Sequence, residues 1–112
     1  MDHPIPRLSV FVCLRALPSW LRLPRPERDR IASAALGAAL GGRDVTLRHF
    51  DAEAFSADCS DIALFEAGDA LAFNGVMEAL RDSPLFAEPY FELVRIIPAI
   101  EDGFRHYERM QA

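Results

Sequence analysis

The densest set of chemically capable side chains lies between positions 45 and 66: His49, Asp51, Glu53, Cys59, Asp61 and Glu66. His49 and Asp51 are two residues apart. In an extended strand they share a face. A carboxylate beside an imidazole fixes its tautomer and raises its basicity, as a general base or a metal ligand requires. The plainer reading is an edge-strand histidine with a solvated aspartate beside it. His49 and Asp51 are therefore the candidate catalytic pair.

A metal site needs three or four converging ligands. His49, Asp51, Glu53, Cys59 and Asp61 converge only if their connection folds back on itself. No CxxC, HExxH or His-x-His spacing is present, so no metal is expected. Haem ligation by His49 or His106 has no motif behind it, and no cofactor is expected. Cys13 and Cys59 read as core or half-buried thiols, because a nucleophilic cysteine needs a base or a helix N-terminus beside it.

Arg15, Arg48 and Arg95 are candidates of another kind. Each falls in a strand-like run, and an arginine in a sheet is rarely buried unpaired. They are expected to pair with Asp61, Glu66 or Glu92, or to bind an acidic small molecule. Trp20 is the aromatic candidate for a pocket wall.

Several elements must position these groups. Leu8–Ala16 is rich in branched and aromatic residues and reads as a strand covered on both sides. Residues 18–26 hold three prolines and Trp20, a turn and helix entry. Pro26 suits a first helical turn. The helix ends at Gly41-Gly42. Its apolar stripe, Ile31, Ala34, Ala35, Ala38 and Ala39, is small and would let it sit close on a sheet. Residues 45–50 alternate as an edge strand should. Residues 62–65 are continuously apolar, as in a central strand. Asp69 is a plausible N-cap for a helix bearing Phe73, Met77 and Leu80, closed by Ser83-Pro84. Residues 85–89 read as a proline-bounded loop. Residues 90–97 read as a fourth strand stopped by Pro98. Ile100, Phe104 and Tyr107 imply a short terminal helix.

The order is βαββαβ plus a C-terminal helix, the ferredoxin-like α+β pattern. Both helices then cover one face of an antiparallel sheet. The first, third and fourth strands are apolar on both sides, and an exposed apolar face is abnormal for a monomer. A second copy, sheet against sheet, covers it economically. The expected assembly is a homodimer, a dimeric α+β barrel, with the arginines between subunits.

The whole chain bounds the function. Its 112 residues suit a single domain, with 1–7 as a loose lead-in. It is 51% hydrophobic and 26% charged, with a net charge of -5; bulk disorder is excluded. There is no lysine. This follows from arginine-favouring codon usage or from a need for fixed carboxylate pairing. Nucleic acid is not an expected partner, since phosphate tracking needs a basic surface and no aromatic pair stands in a basic strand. No run approaches the ~20 apolar residues of a membrane span, and no secretory leader is evident. Two cysteines make no disulfide framework. A soluble, cytoplasmic protein is expected.

Five segments resemble the bacterial darcynin family. They are Leu-Arg-Ala-Leu-Pro-Ser-Trp-Leu-Arg-Leu-Pro-Arg-Pro-Glu-Arg from Leu14, Phe-Asp-Ala-Glu-Ala-Phe from Phe50, Cys-Ser-Asp-Ile-Ala-Leu-Phe-Glu from Cys59, Met-Glu-Ala-Leu-Arg-Asp-Ser-Pro-Leu-Phe from Met77 and Ile-Ile-Pro-Ala-Ile-Glu-Asp-Gly-Phe from Ile96. The resemblance runs from about Leu8 to Tyr107. It implies a bacterial source and a small α+β fold, and carries no catalytic residues with it. Two function classes follow. One is a small-molecule-binding barrel taking an apolar or acidic ligand, possible chemistry being that of a cofactor-free monooxygenase or an isomerase. The other is a non-catalytic interaction or stress-related module. An enclosed cavity touching His49 favours the first, and a solid interior the second.

Overall fold

The computed structural model describes residues 5–112. Of the lead-in expected over 1–7, positions 1–4 lie outside the described residues. The remainder, Ile5 to Arg7, has no regular structure.

The elements run β1 (Leu8–Ala16), α1 (Pro18–Leu21), α2 (Arg25–Leu40), β2 (Val45–Asp51), β3 (Asp61–Ala67), α3 (Ala70–Asp82), α4 (Pro84–Ala87), β4 (Phe91–Ile100) and α5 (Gly103–Gln111). The strands form one antiparallel sheet in the order β2-β3-β1-β4. That is the ferredoxin-like α+β fold with a C-terminal helix, as the sequence pattern implied.

β1 and β3 form the centre. Val10 faces Phe65, and Val12 faces Ala63. All four are buried, and Phe65, Val10 and Val12 almost completely so. They point to the helices. Phe11, Cys13 and Arg15 take the other face by alternation. β2 is an edge strand, and its partner register sets Leu47 on Phe65 and His49 on Ala63.

The helix boundaries follow local chemistry. Asp69 caps α3, its Oδ1 accepting from the Ala72 N–H at 2.8 Å. Pro26 lies in the first turn of α2, and Gly41 closes that helix with its N–H on the Gly37 carbonyl at 3.0 Å. Gly42 follows at φ 73°, a left-handed conformation that glycine adopts without cost.

Three expectations are corrected. Pro98 does not stop the fourth strand, which continues to Ile100 with Pro98 opposite Val10. β4 is an edge strand, where a missing N–H is tolerated. The 85–89 stretch is not wholly loop, because Pro84 initiates α4. The small stripe of α2 does not bring that helix down onto the sheet. Ala35 and Ala39 are buried, but α2 packs principally on α3 and α4. Space remains between it and the strands.

On the other side the sheet is bare. Phe11, Phe50, Val94 and Ile97 are exposed large hydrophobics. α5 buries none of its residues and exposes Phe104, Tyr107 and Met110. The Cα radius of gyration is 16.1 Å, against about 13 Å for a compact chain of this length. The chain is elongated, with apolar surface left unpartnered.

One surface tether has a pH signature. Arg7 Nη2 donates to Asp44 Oδ1 at 2.9 Å. Gly68, whose N–H reaches the Asp44 carbonyl at 3.0 Å, leaves no room there for a side chain. The hydrogen bond from Arg7, then its charge, hold the Asp44 carboxyl below its ordinary range. A carboxylate lowered in the folded state stabilises the fold above its unfolded value of about 4. That contribution is lost as pH falls through the folded value. Urea midpoints should therefore fall on acidification below about pH 4. The Asp44→Asn chain should lose less over the same interval. Parallel curves for the two chains would exclude this role for Asp44.

Candidate functional site

The space under α2 is a cavity of about 560 Å³. The strands contribute Val12, Leu14, Leu47, Ala63, Phe65 and Phe91. The helices contribute Ala32, Leu36, Met77, Leu80, Leu85 and Phe86. Trp20 closes one end, packed on Tyr90 and Phe91 with ring centroids 5.4 and 4.9 Å away. Such a lining suits an apolar guest.

Polar groups gather at one rim: Arg25, Arg28 and Asp29 from α2, with His49, Asp51 and Asp61 from the ends of β2 and β3. Arg28 is already engaged. It donates to the Leu23 carbonyl through Nε at 2.9 Å and to the Leu21 carbonyl through Nη2 at 2.6 Å. It thereby ties the turn after α1 to α2. Arg25 makes no ion pair or side-chain hydrogen bond among the described residues.

The partner of His49 is Asp61. His49 Nε2 lies 2.7 Å from Asp61 Oδ2. Asp51 stands opposite Asp61 in the ladder, and its Oδ1 accepts from the Glu53 N–H at 3.1 Å. Two carboxylates face each other across the strands, an unfavourable pairing. Separate donors satisfy them. With the proton on Nε2 directed at Asp61, the lone pair of His49 falls on Nδ1, which has no partner among the described residues. The His49 side chain is 56% exposed and that of Asp61 21%. The dyad thus holds one basic nitrogen in the open at the edge of an apolar cavity.

Ser60 holds Asp61 in turn. Its Oγ lies 2.5 Å from Asp61 Oδ1 and 3.3 Å from the Leu14 carbonyl, and accepts from the Ala16 N–H at 2.8 Å. The single hydroxyl proton goes to the closer, charged acceptor. The Ser60 N–H donates to the Leu14 carbonyl at 2.8 Å, and the connection closes on itself through Ala52 N–H to the Ser60 carbonyl at 2.9 Å.

The connection does fold back, but no group of three metal-ligating side chains forms among the described residues. His106 stands apart on exposed α5, with Arg109 Nη2 2.9 Å from its Nδ1.

Of the sequence candidates, His49, Asp51 and Trp20 meet at this cavity. Arg15, Arg48 and Arg95 do not. They occupy the bare face of the sheet. Arg15 pairs with Glu92, and its Nη2 donates to the Asp58 carbonyl at 2.5 Å. Arg48 lies 3.7 Å from Glu66 and over the Phe50 ring at 5.7 Å. Arg95 has no ion pair among the described residues. Sequence reasoning placed Asp61 among possible ligands and arginine partners but not beside His49. The strand register that sets 51 opposite 61 was the missing signal. Arg25, in the first turn of α2, carried none.

Ser60→Ala removes a part-buried donor and acceptor together. It should cost about 1–3 kcal/mol of unfolding free energy, read from urea titration, and broaden the His49 ring resonances by loosening Asp61. A loss no greater than that of an ordinary surface substitution, within about 0.5 kcal/mol, would show that Ser60 does not hold Asp61.

Comparison with known proteins places the geometry in context. Chlorite dismutase structures from Candidatus Nitrospira defluvii superpose with TM-scores of 0.73 and 0.69. Their sequences are 16% and 14% identical, and each match covers 88% of this chain but 42% of theirs. A protein described provisionally as a chlorite dismutase superposes at 0.71, with 22% identity over 85% of this chain and 43% of its own. At such identities the likeness is one of fold alone, and the chain spans less than half of each of these proteins. Nearer relatives exist in sequence. Darcynin from Chromobacterium violaceum is 61% identical over 69 residues, 62% of this chain and 87% of that protein. Darcynin 1 from Acinetobacter baumannii is 52% identical over 64 residues, 57% of this chain and 71% of that one. A darcynin homolog from Granulibacter bethesdensis is 32% identical over 107 residues, 93% of this chain and 86% of its own. The family model described as darcynin, a domain of unknown function, matches residues 2–112, and the chain belongs to the darcynin family.

Proposed function

We propose that this protein binds a small, largely apolar molecule between its sheet and α2, with an ionisable O–H or C–H group presented to Nδ1 of His49. The observation that carries the reading is the cavity itself, about 560 Å³ in volume, apolar in its body and bordered by the His49–Asp61 dyad. A solid interior would have argued for the non-catalytic interaction module.

The dyad suits proton abstraction. Nδ1 takes the proton, Asp61 stabilises the imidazolium, and the apolar wall disfavours a free charge on the guest, sharpening its need for a partner. Arg25 is positioned at the rim to meet negative charge developing on the guest. Asp51 adds a second carboxylate to the polar rim. Chemistry of the cofactor-free monooxygenase or isomerase type requires such a base beside an apolar chamber. Likeness to the chlorite dismutase fold adds only the fold.

The assembly we infer is a homodimer joined through the bare sheet face. Support comes from the exposed Phe11, Phe50, Val94 and Ile97, since apolar surface of this kind marks an interaction site. Arg15, Arg48 and Arg95 then lie between subunits, with Arg95 available to an acidic group of the other copy or of a ligand. No helix among the described residues is long and apolar enough to cross a membrane.

Calorimetric titration with 1-naphthol tests the binding reading. Saturable binding should appear with the native chain and with His49→Ala, weaker in the latter. It should vanish in Ala63→Phe, which fills the cavity from the β3 side. Equal binding by the native and Ala63→Phe chains would overturn the assigned place. Light scattering on the purified chain should give twice the chain mass, and Phe11→Glu should reduce it to one. A native monomer would remove the dimer.

A further inference from the structure

The cavity does not use the two cysteines. They lie on the opposite side of the sheet, where a separate recess is lined by Cys13, Arg15, Ser56, Asp58, Cys59 and Arg95. Cys13 points there from the middle of β1 and is partly accessible in the single chain, the form in which peroxide reaches it, since pairing through the bare face covers the recess. Cys59 belongs to the connection before β3 and is buried.

Two tethers bring them together. The Asp58 carbonyl accepts from Arg15 Nη2 at 2.5 Å, and the Ser60 N–H donates to the Leu14 carbonyl at 2.8 Å. Cys59 is the residue between those anchors. Both anchors end on β1 next to Cys13. Ser56 Oγ fixes the backbone on either side, accepting from the Asp58 N–H at 3.1 Å and the Cys59 N–H at 3.4 Å. Both thiols line the one recess. Burial first, then Cys59, pushes the Cys13 thiol up, while Arg95 pulls it down.

The geometry points to a redox-active dithiol, in which Cys13 and Cys59 of one chain form a disulfide on exposure to a peroxide. The Cys13 thiolate attacks one peroxide oxygen, the O–O bond breaks, and hydroxide leaves. A sulfenic acid remains on Cys13. The Cys59 thiolate then attacks that sulfur, the S–S bond forms, and the second hydroxide leaves. With the two thiol protons, two waters are released for each peroxide consumed. Arg95 borders the recess and draws the Cys13 thiol down, but burial and Cys59 outweigh it, so the reaction quickens as pH rises into the alkaline range. The product ties β1 to the segment bearing Ser60 and Asp61, closing a long loop of chain.

The test uses the full chain treated with hydrogen peroxide, alkylated, digested without reduction and examined by mass spectrometry. The expected product is a single chain lighter by two hydrogens, with the peptides of Cys13 and Cys59 joined. Its melting temperature should exceed that of the reduced chain, and a thiol reductant should reverse the change. In Cys59→Ser, Cys13 should stop at the sulfenic acid, trapped by dimedone. In Cys13→Ser, Cys59 should remain unmodified. Disulfides between chains, independent over-oxidation of both cysteines in the native chain, or two thiols that react only after denaturation would each overturn the assignment.

Discussion

Everything in this chain is placed by the ladder between β1 and β3. Val10 against Phe65 and Val12 against Ala63 are the apolar floor on which the helices rest. Full burial of a valine or phenylalanine side chain is worth about 1.5–3 kcal/mol. A slip of one residue would turn every such side chain to the other face. The register of β2 on the other edge of β3 sets His49 opposite Ala63, while the β1–β3 register brings the connection before β3 alongside Leu14 and Arg15. The dyad and the cysteine pair are therefore consequences of two pairings that share β3.

The second constraint is the mismatch between that sheet and its helix layer. α3 packs against the strands through Val76, Met77 and Leu80, all buried. α2 offers mostly alanine. Its buried residues are Ala35 and Ala39, and neither reaches far enough to fill the layer beneath. Close packing is the rule in protein interiors, and lost contacts around empty space are destabilising. A guest that binds only the folded chain would restore those contacts and stabilise it by mass action. The shape of the core thus argues for an occupant in the same way that the bare face of the sheet argues for a second copy.

Much of this was legible beforehand. Continuous apolar runs marked β1 and β3, alternation marked β2 as an edge, and Asp69 marked the start of α3. The two-sided apolar pattern foretold the bare face. What escaped notice depended on relations between distant residues. Pro98 looked like a terminator because its place on an edge strand is a property of the sheet. Ala34, Ala35, Ala38 and Ala39 suggested close approach to the sheet, whereas the larger side chains of α3 and α4 set the height of α2. Asp51 was the nearest carboxylate to His49 along the chain, yet the imidazole turns to Asp61 across the ladder. Ser60 and the folded connection fix that choice, and no local pattern encodes it.

The central claim is that the space between α2 and the sheet is a binding site with His49 at its rim. A crystal structure of the native chain soaked in 1-naphthol tests it most directly. The expected result is the ring system against Leu36, Leu47 and Phe65, with its hydroxyl in hydrogen-bonding reach of His49 Nδ1 and the Asp61 contact intact. A structure in which α2 has settled onto the strands, leaving no space and no naphthol there, would contradict it.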